Sequence, residues 1–126
     1  MEINKPEILA EVQTAFDAYE VALTTNDVET LDSLFWDSEH TIRYGAAENL
    51  YGFQEIAAFR AGRPSAGLMR AQVEPRVTTF GDNFAVTNTM FTRDNAAGKI
   101  GRQSQCWVRS PGGWKIVAAH VSVIPT

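Results

Sequence analysis

Apolar residues in the first half of the chain recur at helical spacing, whereas in the second half they fall into long extended runs. Leu9, Val12, Phe16, Tyr19 and Leu23 lie three or four residues apart, a narrow stripe that predicts an amphipathic helix. Pro6 suits its first position and Glu7 complements the positive helix start; Thr24-Thr25 weaken its end. Asn26 is the expected N-cap of a second helix, with Glu29 completing a capping box and Val28, Leu31, Leu34 and Phe35 forming the buried side. A short extended segment, Thr41-Ile42-Arg43-Tyr44, stops at Gly45. After a loop, Gly52 precedes a third short helix over 53–60, which Gly62, Pro64 and Gly67 break.

Strands are expected over 69–80, 84–93, 100–110 and 114–124. The turns between them, Gly81-Asp82-Asn83, Asn95-Ala96-Ala97-Gly98 and Ser110-Pro111-Gly112-Gly113, are short enough to imply an antiparallel meander. Helices followed by such a sheet make an α+β layout, read as one domain over 1–126. Long strands joined by tight turns twist and coil, and the first helix buries its stripe in the resulting concavity. The product is a cone, closed at one end and open at the other, a natural small-molecule site.

Composition narrows the ligand. A net charge of −4 with scattered acidic residues argues against binding of nucleic acid or anionic lipid. Eight arginines stand against three lysines, and arginine grips carboxylates at two points where lysine is a point charge. Cys106, the single cysteine, excludes an internal disulfide and reads as a small hydrophobe in mid-strand. With no signal-like start and no apolar run of membrane length, a cytoplasmic setting is expected. His40 and His120 are far apart without metal-ligand spacing, and neither a phosphate loop nor a dinucleotide fingerprint occurs, so no metal or other cofactor is implied.

The closing run Trp114-Lys115-Ile116-Val117-Ala118-Ala119-His120-Val121-Ser122, with the order of elements, resembles the NTF2-like superfamily of cone-shaped α+β folds. Ala18-Tyr19-Glu20, Thr41-Ile42-Arg43-Tyr44-Gly45, Ile56-Ala57-Ala58-Phe59-Arg60, Gly101-Arg102-Gln103-Ser104-Gln105 and Ala118–Ser122 together resemble the AtzH/HpxZ family. Its members accompany amidase-signature enzymes in cyanuric acid and oxalurate catabolism, and AtzH is implicated in converting 1,3-dicarboxyurea to allophanate. By position, the resemblance places that family's functional tyrosine and arginine on Tyr19 and Arg43.

The residues weigh these roles differently. Tyr19 lies mid-stripe, so its ring faces the sheet, either tied to a backbone carbonyl or donating to a ligand. Arg43 points opposite to Ile42 and Tyr44, and alternation alone leaves open which side is the cavity. Arg60, four residues after Ile56, either meets a second carboxylate at the pocket mouth or is a solvated residue at a helix end, with Arg63 and Arg70 as weaker versions of the same idea. His120 and Ser122 share a face with Trp114, Ile116 and Ala118; Lys115, Val117, Ala119, Val121 and Val123 form the other, also mostly apolar. One face would line the cone and the other pack on a second copy, making a homodimer through the outer sheet face. Asn88 and Gln105, polar within apolar strands, are candidates for the pocket or for cross-strand pairing.

Three functions follow. The first is an enzyme converting a small anionic, carboxylated urea-type substrate by decarboxylation or hydrolysis, with Tyr19 and Arg43 catalytic and Arg60, Asn88, Gln105, His120 and Ser122 binding. The second is a ketosteroid-isomerase or dehydratase-like enzyme, which needs an inward carboxylate; Asp17, Asp32 and Asp37 are the candidates, at positions that read polar. The third is a ligand-binding or assembly module associated with an amidase.

Overall fold

The computed structural model describes all residues, Met1–Thr126. Three helices, α1 (Pro6–Thr24), α2 (Val28–Leu34) and α3 (Phe53–Gly62), pack on six strands. These are β1 (Ile42–Tyr44), β2 (Asn49–Tyr51), β3 (Ala71–Phe80), β4 (Phe84–Thr92), β5 (Lys99–Ser110) and β6 (Gly113–Pro125). They form one sheet in the order β2-β1-β6-β5-β4-β3. The four long strands are the expected antiparallel meander. The segment after Gly45, read as a loop, contains β2, which pairs antiparallel with β1. β1 in turn pairs with β6 in parallel, Arg43 opposite Ala119, so the sheet is mixed. That pairing joins strands distant in sequence, and neither strand's own pattern encodes it.

Pro6 is the first residue of α1, as its fixed φ favours. The buried stripe is Ile8, Val12, Phe16, Tyr19, Ala22 and Leu23, with Ile8 in place of Leu9. α2 begins one residue later than expected. Asp27 is its N-cap, accepting from the Thr30 backbone N–H at 3.2 Å and from the Thr30 hydroxyl at 2.7 Å. Asn26 instead takes a left-handed backbone, φ 54°, which asparagine tolerates better than most residues. The two bonds hold the Asp27 carboxyl below its ordinary range.

The core fills the closed end of the cone. Trp107 and Ile116 on the sheet are completely buried, with Val12, Phe16, Leu31 and Phe35 against them. The indole N–H of Trp107 donates to the Thr87 hydroxyl at 2.9 Å, and that hydroxyl donates to Gln105 Oε1 at 3.0 Å. The indole, the hydroxyl and the amide oxygen thus form a relay beneath the cavity floor, while the Gln105 amide nitrogen is buried without a partner. No helix is long and apolar enough to cross a membrane.

One irregularity decides which residues of β6 face inward. Cys106 pairs with Ala118 while Trp107 pairs with Ile116, leaving Val117 as an extra residue. A bulge of this kind reverses the alternation beyond it. Trp114 and Ile116 point inward, and after the bulge Ala119 and Val121 do. His120 and Ser122 therefore do not share a face with Trp114 and Ile116: they lie on the outer face, the reverse of the expectation.

Candidate active site

The open end of the cone holds a cavity of about 290 Å³, near the lower end of the usual size range of ligand sites. Tyr19 and Leu23 of α1 form one wall, and Arg43 with Ala46 another. Phe91, Gln103 and Val121 are the sheet floor, and Arg63, Leu68, Arg70 and Arg93 close the mouth. Other depressions in the surface are as large or larger, but this one alone gathers a phenol and four guanidinium groups.

Tyr19 is 3% exposed, and no side-chain hydrogen bond within the protein uses its hydroxyl. Its ring is braced by Phe35 at 6.3 Å between centroids. The buried phenol therefore presents its O–H to the cavity rather than to a backbone carbonyl. Arg43 also faces inward, leaving Ile42 and Tyr44 half-buried on the outside. Its Nη1 donates to Glu48 Oε1 at 2.9 Å, and its guanidinium lies 5.7 Å from the centre of the Phe59 ring. Glu48 reaches it because residue 45 is glycine: a Cβ there would stand 1.8 Å from Glu48 Oε1.

Arg70 is bound more completely. Its Nε and Nη2 donate to the two oxygens of Glu20 at 2.9 and 2.7 Å, and Nη2 donates also to Gln103 Oε1 at 3.0 Å. Gln72 adds a bond to Glu20 at 3.2 Å, so that carboxylate is fully engaged. Gln103 keeps its amide nitrogen buried without a partner. Phe91 carries Arg70 and Arg93 at 4.4 and 4.8 Å from its ring centre. Its ring rests on Gly101, where an added Cβ would come within 2.1 Å of a ring carbon.

Arg63 and Arg93 have no carboxylate partner. Nε and Nη2 of Arg63 and Nε of Arg93 are buried with no hydrogen bond from the protein. Burial pushes the Arg63 guanidinium below its ordinary pKa; Tyr19 opposes this, while Arg60, Arg43 and Arg93 add to it. Burial lowers Arg93 likewise, reinforced by Arg70 and opposed by Glu20 and Tyr19. Both stay charged at neutral pH, because arginine does not lose its proton in proteins.

The other expected residues lie elsewhere. Arg60 lines neither the pocket mouth nor the solvent: it is 3% exposed, pairs with Asp32 at 2.6 Å and sits 4.8 Å over the Phe35 ring. Gln105 points into the cone one row deeper than Gln103, and its Oε1 accepts from Thr87 in the core. Asn88 is on the outer face, where it accepts a hydrogen bond from Ser104 at 2.5 Å. Ser122, also outside, accepts from Arg102, and His120 packs edge-on to Tyr44.

The carboxylates near the cavity are Glu20 and Glu48, both held by arginine. Asp32 is held by Arg60, and Asp17 is outside, bonded to Gln13. Asp37 lines a separate open groove beside Trp36 and Lys115. None is a free inward carboxylate, which a base-catalysed isomerisation or dehydration would need.

The model of the AtzH-like family matches residues 1–126. The chain belongs to that family. A protein of unknown function from the DUF3225 family of Pectobacterium atrosepticum is 57% identical to this AtzH-like chain, with a TM-score of 0.95. That match covers 97% of this chain and 94% of the other. A cystatin-like fold protein from Burkholderia xenovorans is 48% identical, with a TM-score of 0.95 over 100% and 98% of the two chains. An NTF2-like superfamily protein from Salmonella enterica shares the fold at 23% identity and a TM-score of 0.73, covering 92% and 90%. No curated protein matched the chain. The AtzH-like chain therefore has the NTF2-like cone, with its cationic cavity at the open end.

Alternation along the strands also marks two inward residues beyond those expected. Gln103 shares the inward face with Gln105, and Arg93 lies two residues beyond Phe91, on the same parity. Arg63, expected only as a weaker candidate than Arg60 for the pocket mouth, lines the cavity, as does Arg70. It is the residue that caps the C-terminal end of α3, and only the return of the chain toward β3 brings it over the cavity.

Proposed function

We propose that the cavity binds a small carboxylated urea-type anion and converts it, as in the step from 1,3-dicarboxyurea to allophanate, with Tyr19 and Arg43 as catalytic residues. The observation that carries this reading is the unpartnered Tyr19 hydroxyl opening into the same cavity as Arg43. In this step the bond between a urea nitrogen and its terminal carboxyl carbon breaks, and the nitrogen keeps the electron pair and takes a proton. Loss of carbon dioxide gives allophanate directly. Attack of water on the same carbon gives allophanate and bicarbonate. Both routes need a proton at the departing nitrogen, and in this reading the Tyr19 hydroxyl donates it as general acid. Arg43 stabilises negative charge on the carboxyl or the urea oxygen as it develops. Its bond to Glu48 fixes the guanidinium before the ligand arrives, so little reorganisation accompanies reaction.

The direct test is to supply purified protein with 1,3-dicarboxyurea and follow allophanate and released carbon dioxide or bicarbonate. Turnover by the isolated chain is expected. Conversion only when an amidase is added would move the activity to that partner and leave this chain a binding or assembly module.

The outer sheet face supports self-association. Ile42, Ala118, Cys106 and Val86 stand side by side across four strands and form an apolar row, half-buried in the single chain. We expect a two-fold homodimer through this face. Light scattering should give twice the mass of the 13.9 kDa chain, and Val86→Arg should halve it. A wild-type protein of monomer mass would rule the dimer out. A soluble, cytoplasmic protein is consistent with this reading.

A further inference from the structure

We infer that Arg63 and Arg93 read the charge of the ligand, making the cavity selective for a small dicarboxylate over a monocarboxylate. The inference rests on the cavity being the ligand site, but not on the chemistry proposed for it.

The four cavity arginines divide into two kinds. Arg43 and Arg70 bring their own counter-ions, Glu48 and Glu20, so each pair adds no net charge to the cavity, although Arg43 gives only Nη1 to Glu48 and keeps its other donors. Arg63 and Arg93 bring none, so the cavity carries two uncompensated positive charges. Glu20 lies near Arg93, but Arg70 and Gln72 already occupy its oxygens. Both are half-buried, and the guanidinium nitrogens that are buried have no partner, an arrangement that a purely structural role does not call for twice in one cavity.

The unused donors have a shape as well as a charge. The free atoms of Arg63 are Nε and Nη2, one edge of the guanidinium plane and the fork that holds a carboxylate at two points. Arg93 offers Nε, with its plane supported by Phe91. The two arginines reach the mouth from different elements, the end of α3 and the end of β4, and both line the same cavity as Tyr19. A ligand with a carboxylate on each arginine would lay its middle toward the Tyr19 hydroxyl. The buried, unpartnered amide nitrogen of Gln103 supplies a further donor on the cavity floor.

The probes are malonate and acetate, titrated at constant ionic strength and followed by calorimetry and thermal melting. Malonate should bind at least about ten-fold more tightly than acetate, the effect of one additional charge-assisted contact. Arg63→Met and Arg93→Met should each weaken malonate by about ten-fold or more while leaving the small effect of acetate nearly unchanged. Without ligand both variants should melt close to the wild-type temperature, because each removes a half-buried cation that has no ion-pair partner to strand. Arg70→Met should melt lower, because it strands Glu20. Malonate has no bond between nitrogen and a carboxyl carbon to break, so its binding is read separately from turnover. Equal affinity for malonate and acetate, or unchanged malonate binding in both Arg63→Met and Arg93→Met, would overturn the inference. If malonate binds as expected but Tyr19→Phe turns over dicarboxyurea normally, the charge-reading pair stands and the catalytic assignment fails.

Discussion

Tyr19→Phe should fold normally and lose about 10²–10⁴-fold in turnover of 1,3-dicarboxyurea, the range typical for removing a general acid. The ring is what α1 buries: Tyr19 is 3% exposed and packs on Phe35, and phenylalanine keeps every one of those contacts. The hydroxyl makes no bond to the protein, so its loss strands no partner and leaves the melting temperature close to that of the wild type. A loss of rate with intact stability is therefore the expected pattern, and it belongs to kcat rather than KM if the hydroxyl acts in the transition state. Arg43→Ala should show a different pattern. It removes charge stabilisation, lowers turnover by about 10²–10³-fold, and also leaves Glu48 beside the cavity without its counter-ion. Steady-state rates of both variants, with melting curves beside them, are the check. Normal rates in both would end the assignment.

The largest expected effect on stability comes from a pair outside the cavity. Asp32→Ala leaves the Arg60 guanidinium, with a side chain only 4% exposed, without its carboxylate. Breaking a buried pair from one side costs about 3–5 kcal/mol, because the remaining charge stays in a medium that solvates it poorly. Asp32 is itself 29% exposed, and the Phe35 face gives Arg60 some compensation, so about 3 kcal/mol is expected here. At about 4 °C per kcal/mol, the melting temperature should fall by about 12 °C. Replacing both partners, Arg60→Met with Asp32→Leu, should recover most of the loss, since no uncompensated charge remains. The pair ties α2 to α3 across the cone. A fall of only a degree or two in Asp32→Ala would show that water reaches Arg60 and that the pair contributes little.

The two residues named from the resemblance differ in how far the sequence itself could place them. Tyr19 is inward because a 3.6-residue period puts it on the stripe of Val12, Phe16 and Leu23, a local property of one helix. Arg43 is inward because β1 pairs in parallel with β6, bringing it level with Ala119. Three residues are too few for a period to choose a side. The same limit explains His120 and Ser122. Their face was counted from Trp114 by strict alternation, and the single extra residue at Val117 reversed the count. A bulge has no reliable signature in a run as apolar as Ile116–Ala119. Arg60 failed for a third reason: its partner, Asp32, lies 28 residues away on another helix.

The sequence alone determined the three helices, the four long strands with their antiparallel order, the α+β cone and the inward placing of Tyr19. Each follows from periodicity or turn length, which are properties of neighbouring residues. The tertiary structure decided where the charge lies. Glu20 and Glu48 cancel Arg70 and Arg43, Asp32 cancels Arg60, and Arg63 and Arg93 are left without a counter-ion. An ion pair depends on distance in space and on exclusion of water. Neither can be read from a chain in which the outcome for eight arginines is set by which carboxylate folds back onto which.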